Sequence, residues 1–199
     1  MKKQRPVYYY IVNVITLWRL LAAPLVIYLA FQRQLELFKW FLAVSFLTDA
    51  IDGFLARRYR VTSTRGAILD SIGDDLTVGA AVAGVFVFKM EFVRQESVLI
   101  IVLTALYVLQ VCLSLIRYRK MSSFHTYLAK LAAILQAVFL LLLFFLPGPV
   151  LPLFYLAAVA TILDLVEEIV LVLLLRQWEA NVKGLYWVLK KRRLGRRGE

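Results

Sequence analysis

The chain has 199 residues, of which 62% are hydrophobic and 19% charged, and its mean hydropathy is +0.76. Soluble domains are about 45–50% apolar, so this composition excludes an ordinary water-soluble domain and indicates lipid as the solvent. The single cysteine, Cys112, excludes a disulfide framework and a cysteine-based metal site. The formal net charge of +11 requires no nucleic acid, because anionic lipid headgroups account for a basic membrane face.

Six segments are apolar and long enough to cross a bilayer as helices, which takes about 20 residues. The sequence therefore predicts an all-α integral membrane protein with six transmembrane helices, and we expect the first segment to be retained rather than removed as a signal peptide. We predict a transmembrane catalytic domain at 1–175 and a basic cytoplasmic tail at 176–199. The six spans are predicted at 14–33, 36–57, 67–89, 97–117, 126–146 and 151–175.

Lysine and arginine are concentrated in the loops on the side that holds both termini. The positive-inside rule therefore places both termini in the cytoplasm. In the tail, residues 184–197 combine an aromatic patch with a basic run. Such a segment either lies as an amphipathic element on an anionic membrane surface or extends as a solvated tail.

The second and third predicted spans each carry two aspartates on one helix face. Asp49 and Asp52 are three residues apart, and Asp70 and Asp74 are four apart. When the two spans fold back at their cytoplasmic turn, the four carboxylates meet at two matched depths. Charges inside a membrane are costly, and they indicate a functional site by default.

Four carboxylates in one place repel one another unless cations neutralise them. Oxygen ligands suit hard ions, Mg²⁺ first, with Mn²⁺ or Ca²⁺ as alternatives. The competing interpretation is that buried bases balance the acids. Apart from the bases at the ends of the spans, which we assign to the loops, the available bases are Arg19 and Lys130, too few for four aspartates.

From Asp49 to Asp74 the fixed residues read D-x2-D-G-x2-A-R-x8-G-x3-D-x3-D. This spacing resembles the signature of the CDP-alcohol phosphotransferase (CDP-alcohol phosphatidyltransferase) family, six-span membrane enzymes that carry it across their second and third spans. The resemblance implies phospholipid biosynthesis by transfer of a phosphatidyl group from CDP-diacylglycerol to an alcohol, with release of CMP. It favours a homodimer. We expect the inner (plasma) membrane of a bacterium, with the active site facing the cytoplasm.

The resemblance also implies roles for the motif residues. Asp49, Asp52, Asp70 and Asp74 would hold one or two divalent cations against the diphosphate, and Asp74 would be the catalytic base for the acceptor hydroxyl. The expected CDP-lipid-binding residues are Gly53, Ala56, Arg57 and Gly66. The glycines and the alanine allow close approach of the nucleotide, and the arginine suits phosphate.

The acceptor is left open among glycerol 3-phosphate, inositol phosphate and serine, because the chain resembles both phosphatidylglycerophosphate and phosphatidylserine synthases. Cations near the ends of the fourth and fifth spans suit an acceptor with a phosphate or carboxylate. The expected acceptor-binding residues are Arg117, Arg119, Ser123, His125 and Lys130. For the arginines the alternative is ordinary positive-inside charge, and for the histidine it is a solvated loop position.

Two further features of the spans lie outside the motif. In the sixth span, we expect Glu167 and Glu168 to form ion pairs with Arg19 and Lys130 that brace the site. In the third span, small residues from Gly79 to Gly84 predict close helix packing, within the chain or between two chains.

The main alternative function is a divalent-cation transporter or channel, because intramembrane acids also line ion pathways. Against it, the motif acids cluster at one membrane edge, and the halves of the chain show no inverted repeat. A second alternative is an inactive family member that acts as a scaffold, and the complete motif argues against it.

Overall fold

A computed structural model describes the backbone of residues 7–59, 64–119, 126–175, 177, 182 and 184–195. It describes their side chains except at 7–16, 19, 50, 52–59, 64–72, 74–75 and 191–195. All regular structure in these ranges is α-helical. The helices are α1 (Val7–Phe31), α2 (Leu35–Tyr59), α3 (Thr64–Phe88), α4 (Met90–Gln95), α5 (Ser97–Tyr118), α6 (Tyr127–Phe145), α7 (Leu151–Leu174) and α8 (Leu185–Gly195).

The all-α prediction is confirmed for the described residues, and the six long helices overlap the six predicted segments, although α1 begins at Val7 rather than at residue 14. Their ends follow local chemistry. Thr126 caps α6 by accepting a hydrogen bond from the backbone N–H of Ala129 at 3.0 Å. The following break falls at the sequence 147–149, Pro-Gly-Pro, and Pro152 sits in the first turn of α7, where a proline is tolerated.

Two of the described helices, α5 and α6, are long and apolar enough to cross a membrane by length and composition. Shorter apolar stretches occur at Leu20–Phe31 in α1 and Leu76–Phe88 in α3. Much of the apolar surface of α5 is uncovered, with Val98 76% and Ile116 80% exposed. Large continuous apolar surfaces are rare on soluble monomers, and they suit a lipid environment.

The chain divides into two compact units, Met1–Arg94 and Gln95–Glu199. In the first unit α1 packs against both α2 and α3. Small side chains line this contact and let the helix backbones approach closely. The predicted packing role of the third span is confirmed at Ala80, Ala81 and Gly84, which are buried, whereas Gly79 is exposed.

Within the first unit, α2 meets α3 through the ring of Phe38, which is fully buried. The ring lies against the backbone of Gly84, so close that a Cβ there would overlap three ring atoms. It also packs against Phe88, with 5.2 Å between ring centroids. The start of α2 therefore meets the end of α3, and the two helices run antiparallel.

In the second unit α7 packs against α6 and α5, and α8 packs against α7. Phe139 of α6 and Phe154 of α7 stack with 5.2 Å between ring centroids. A separate apolar cluster lies at the end of α7 and comprises Leu171, Val172, Leu175 and Val182. The predicted division into a domain at 1–175 and a tail at 176–199 stays a prediction, but the tail contains a helix, α8.

Candidate functional site

The four motif aspartates lie on the parts of α2 and α3 nearest to the break between these helices. Asp52 is about two turns before α2 ends, and Asp70 is about two turns after α3 begins. Asp49 and Asp74 lie about one turn further from the break. The helix bounds thus give the two pairs matched positions. Asp49 is partly buried, and the other three aspartate side chains lie outside the described residues.

The buried face of α2 leads toward the motif. Phe38, Leu42 and Ser45 are each at most 2% exposed, and they are spaced four and three residues apart. The same alternation of four and three residues continues to Asp49 and Asp52. Residues with this spacing share one face of a helix.

The buried face of α3 leads toward the motif from the other direction. Gly84, Ala81 and Thr77 are buried at spacings of three and four residues. The same alternation continues to Asp74 and Asp70. Both halves of the motif therefore occupy the positions that extend the described buried faces of their helices.

The contact between Phe38 and Gly84 joins α2 and α3 at the ends of the helices that lie far from the break. Over their whole length, both helices pack more extensively on α1 than on each other. Their buried faces are therefore shared with α1.

A buried hydroxyl lies on each of these two faces, between the apolar residues and the aspartate positions. Ser45 Oγ donates to the Phe41 carbonyl at 2.9 Å, and Thr77 Oγ1 donates to the Gly73 carbonyl at 2.8 Å. These bonds within each helix satisfy the hydroxyl hydrogens where water is excluded. The sequence positions of each face thus change from apolar to hydroxyl-bearing to acidic toward the break.

Among the side chains that the structure describes, no three acidic, histidine or cysteine residues come together. Three of the four predicted metal ligands, Asp52, Asp70 and Asp74, have side chains outside the described residues. The predicted CDP-lipid residues likewise have no described side chains. Gly53, Ala56 and Arg57 lie in the last turns of α2, and Gly66 lies in the first turn of α3.

Of the predicted acceptor-binding residues, Arg117 and Arg119 lie at the end of α5. Arg117 Nε donates to the Leu175 carbonyl at 3.1 Å. The neighbouring Tyr118 hydroxyl is 2.9 Å from the carbonyls of both Val172 and Leu175. These contacts satisfy carbonyls at the C-terminus of α7, which have no partner within the helix. Sequence reasoning missed this use of the α5 terminus.

Lys130 lies in the first turn of α6 and is exposed. Its ammonium lies 5.6 Å from the centroid of the Tyr127 ring, within the range of a cation–π interaction. Tyr127 also contacts Trp187 of α8, with 5.5 Å between ring centroids. The other two predicted acceptor residues, Ser123 and His125, lie outside the described residues.

The structure describes a neutral hydrogen-bond donor for each of the two glutamates of α7. Glu167 Oε1 accepts a hydrogen bond from the backbone N–H of Leu185 at 2.8 Å, and Glu168 accepts one from Gln110 Nε2 at 2.6 Å. In the described part of the chain, Lys130 forms an ion pair with neither glutamate, so that pairing was wrong. The N-terminus of α8 carries partial positive charge, and it interacts with the Glu167 carboxylate where a side-chain cation had been expected. Arg19 has no described side chain.

Polar side chains also join the helices of the second unit at three partly buried places. Besides the contact of Gln110 with Glu168, Gln136 donates to Thr161 at 2.6 Å. Thr126 Oγ1 lies 3.4 Å from Asp164 Oδ1. Glutamines inside apolar spans were the available sequence signal, because intramembrane polar groups take partners on neighbouring helices.

Comparison with known proteins decides the family. The sequence profile of the CDP-alcohol phosphatidyltransferase family, described by that name, matches residues 9–182. The chain belongs to the CDP-alcohol phosphatidyltransferase family. The resemblance inferred from the aspartate motif is therefore confirmed, and it places the chain in a family of membrane enzymes of phospholipid biosynthesis.

Three curated relatives of this family member come from a plant and a fission yeast. Two from Arabidopsis thaliana are a probable CDP-diacylglycerol–inositol 3-phosphatidyltransferase 2, 38% identical over 78 residues, and CDP-diacylglycerol–inositol 3-phosphatidyltransferase 1, 38% identical over 79 residues. Each alignment covers 37% of this chain and 34% of the relative. The chain thus matches about a third of the length of these relatives.

A third relative, from Schizosaccharomyces pombe, is a cardiolipin synthase (CMP-forming) / mitochondrial hydrolase fusion protein. It is 36% identical over 62 residues, which are 31% of this chain and 10% of the relative. No solved structure matches the chain. These plant and fungal relatives give no support to the expected bacterial inner membrane, although the membrane association of the family stands.

Proposed function

We propose that the protein transfers a phosphatidyl group from CDP-diacylglycerol to a small polar alcohol and releases CMP. One observation carries the proposal. The motif aspartates occupy the positions that continue the buried faces of α2 and α3, and counting equally along both helices from the contact of Phe38 with Gly84 would pair Asp49 with Asp74 and Asp52 with Asp70. The family match is consistent with this chemistry.

The proposed metal ligands are the four motif aspartates. Two opposed carboxylate pairs offer only oxygen donors and a large negative charge, which fits Mg²⁺ or Mn²⁺ and no softer ion. When bound, such a cation acts as a Lewis acid toward the phosphoryl oxygens of the diphosphate. The donor set on α2 and α3 would comprise Asp49, Asp52, Asp70 and Asp74.

The other motif residues have complementary proposed roles. Asp74 accepts the proton of the acceptor hydroxyl as that oxygen attacks phosphorus. Arg57 binds the phosphates of the donor through its planar guanidinium. Gly53 and Gly66, with Ala56, leave room for the cytidine nucleotide next to the helix backbones.

For the acceptor, the candidates remain glycerol 3-phosphate, inositol or its phosphate, and serine. The Arabidopsis relatives are named for inositol, which favours a polyol. We assign acceptor binding to Arg117, Arg119 and Lys130, exposed bases of the second unit. Ser123 and His125, from the segment before α6, complete the proposed set. Basic side chains would bind a phosphorylated or carboxylated acceptor.

The six long helices are the proposed membrane spans. They contain 19 to 25 residues, about 29–37 Å of helix, which matches the ~30 Å hydrocarbon core. Both termini and the aspartate-bearing ends of α2 and α3 would then face the cytoplasm. A homodimer is the proposed assembly.

The experiment that tests the proposal measures CMP release by the purified protein in detergent with Mg²⁺ and CDP-diacylglycerol. The acceptor panel comprises glycerol 3-phosphate, inositol, inositol 1-phosphate and serine. We expect release with one acceptor and its loss on chelation. Asp74→Asn should lower the rate by at least about 100-fold, because a positioned base contributes that much.

Asp75→Asn is the matched control, because it makes the same change one position away, off the paired face. Its rate should stay within about threefold of the native rate, the scale of a change that removes no transition-state contact. Equal losses in the two variants would contradict the assignment of Asp74. Metal transport across vesicles without CMP release would instead support the alternative of a cation transporter or channel.

A further inference from the structure

The helix α8 begins alongside α7 rather than beyond its end. Its first backbone N–H, that of Leu185, donates to Glu167 Oε1 at 2.8 Å, and Glu167 lies about two turns before α7 ends. Gly184, directly before the helix, has a φ of +147°, a conformation that side-chain-bearing residues rarely adopt. The chain thus turns back after α7 and starts a new helix against its side.

One face of α8 is attached to the second unit by apolar packing. Leu185 and Val188, three residues apart, pack against the cluster at the end of α7 formed by Leu171, Val172, Leu175 and Val182. Trp187 adds a ring contact to Tyr127. The position of α8 is therefore fixed both by a hydrogen bond to a carboxylate and by an apolar contact.

The face of α8 next to this packed face is uncovered and combines apolar or aromatic residues with a base. Tyr186 is 65% exposed and Leu189 43% exposed, and Lys190 is exposed on the same side, at i, i+3 and i+4. Trp187, beside them, is 46% exposed. The sequence adds further bases at the end of the helix, Lys191, Arg192 and Arg193.

Aromatic and aliphatic side chains beside bases are typical of helices that lie in the membrane interface. Tyrosine and tryptophan place an apolar ring and a polar tip at headgroup depth. Each lysine or arginine near an anionic surface adds about 1 kcal/mol of attraction. In water, the same face would leave a tyrosine, a tryptophan and a leucine uncovered together.

We propose that the exposed face of α8 lies in the membrane interface and binds anionic phospholipid headgroups. The charges along the helix agree with this placement. The carboxylate of Glu167 caps the N-terminus, where partial positive charge resides, and the bases follow toward the C-terminus. The acid that holds the helix is thus separated from the bases that meet the lipid. This placement concerns a surface outside the aspartate motif and does not depend on the transferase reaction.

The test places a nitroxide on the exposed face of α8 in the full-length protein. The variant carries Cys112→Ser, to remove the native thiol, and Leu189→Cys as the labelling site. It is reconstituted in vesicles of phosphatidylcholine alone or with about 30 mol% phosphatidylglycerol, an anionic surface. Collision rates with oxygen, which concentrates in lipid, and with a water-soluble nickel complex report the depth of the label.

We expect the ratio of oxygen to nickel collisions at Leu189 to rise at least about twofold when phosphatidylglycerol is present, because charge attraction draws α8 toward the headgroups. A second variant replaces Lys190, Lys191, Arg192 and Arg193 with glutamine, and it should lose this rise. Gly148→Cys is the reference site, since it lies in the exposed break after α6 with open space around its Cα. Its ratio should not change with lipid composition.

Three results would overturn the proposal. Nickel accessibility at Leu189 equal to that at Gly148 in both vesicles would mean that α8 faces water. A rise that persists in the glutamine variant would exclude anionic headgroups as the partner. Spin–spin broadening at Leu189 that disappears on dilution with unlabelled protein would show a second copy of the chain on this face instead.

Discussion

The ring of Phe38 rests directly on the backbone of Gly84, and this contact joins the start of α2 to the end of α3. This contact matters for the proposed site because it fixes how residues of α2 line up with residues of α3 at this point. Because the helices are antiparallel, a shift of one at this point moves every later pair by the same amount. In the proposed site, the pairing of Asp49 with Asp74 and of Asp52 with Asp70 would then depend on a glycine more than two turns away.

Gly84→Ala should therefore destabilise the first unit. The new Cβ overlaps the Phe38 ring, which is already packed on Phe88, and overpacking of this kind costs about 1–3 kcal/mol. We expect a lower thermal unfolding midpoint in detergent and reduced CMP release. Adding Phe38→Leu should restore part of the stability, because the smaller side chain makes room.

Gly79→Ala is the control for this variant, since a Cβ at Gly79 meets nothing within 4 Å. It should be neutral or stabilising by about 0.5–1 kcal/mol through helix propensity. If both alanine variants unfold alike, the packing of Phe38 on Gly84 does not set the stability of this contact.

Divalent cations should stabilise the protein against heat. An ion that binds only the folded state raises stability by about 2.7 kcal/mol at 100 times its dissociation constant. We expect Mg²⁺ to raise the unfolding midpoint and EDTA to reverse the rise. Asp70→Asn should abolish the shift by removing one of the proposed ligands, whereas Asp75→Asn should retain it. A shift of full size in Asp70→Asn would exclude that ligand.

Glu167→Ala should loosen α8 without unfolding α7. Loss of a helix cap costs about 1 kcal/mol, so the open state of α8 should become about fivefold more populated. Faster tryptic cleavage after Lys190 and faster hydrogen exchange at Leu185 would report this change. Glu167→Gln keeps an oxygen that accepts the hydrogen bond, and it should show a smaller effect.

The matched control for Glu167→Ala is Val166→Ala, at the neighbouring exposed position of α7. Unchanged cleavage in Glu167→Ala, or equal acceleration in both variants, would show that the carboxylate does not hold α8.

Gln110→Leu should destabilise the second unit by about 1 kcal/mol, the typical value for a hydrogen bond between membrane helices. Gln110 is 3% exposed and donates to Glu168 at 2.6 Å, so leucine leaves that carboxylate without this donor. Thermal unfolding in detergent measures the loss. Thr104→Val is the control on the same helix, because the Thr104 hydroxyl is exposed and bonds only to the Ile100 carbonyl in its own helix. Equal midpoints in the two variants would contradict this role of Gln110.

The long helices could be predicted from the sequence because continuous apolar runs and breaks such as 147–149 define them without reference to the rest of the fold. The aspartate positions were equally accessible, since helical spacing alone puts Asp49 with Asp52 and Asp70 with Asp74 on shared faces. The family followed from the same residues.

What escaped prediction depends on contacts distant along the chain. An amphipathic element was one of the two expectations for 184–197, but the docking of α8 on α7 was not predicted. Among the described side chains of α8, Leu185 and Val188 face inward, and the first N–H of the helix is satisfied by Glu167, 18 residues earlier. A partner for Glu167 was sought among side-chain cations, but the partner is a backbone amide, which residue type does not reveal. The helix α4 was also not predicted, because its 6 residues are too few to show the helical repeat of apolar positions.

The hydrogen bond from Arg117 Nε to the Leu175 carbonyl gives this arginine a fixed starting orientation. An anion that approaches Arg117 meets the terminal amino groups of its guanidinium, because Nε is already hydrogen-bonded. Binding therefore costs less side-chain entropy than it would for an arginine without this hydrogen bond. Leu175, which supplies this carbonyl, caps the C-terminus of α7, the helix against which α8 packs. Occupancy at Arg117 and the conformation of the tail would then be thermodynamically linked, and each would alter the other by the same factor.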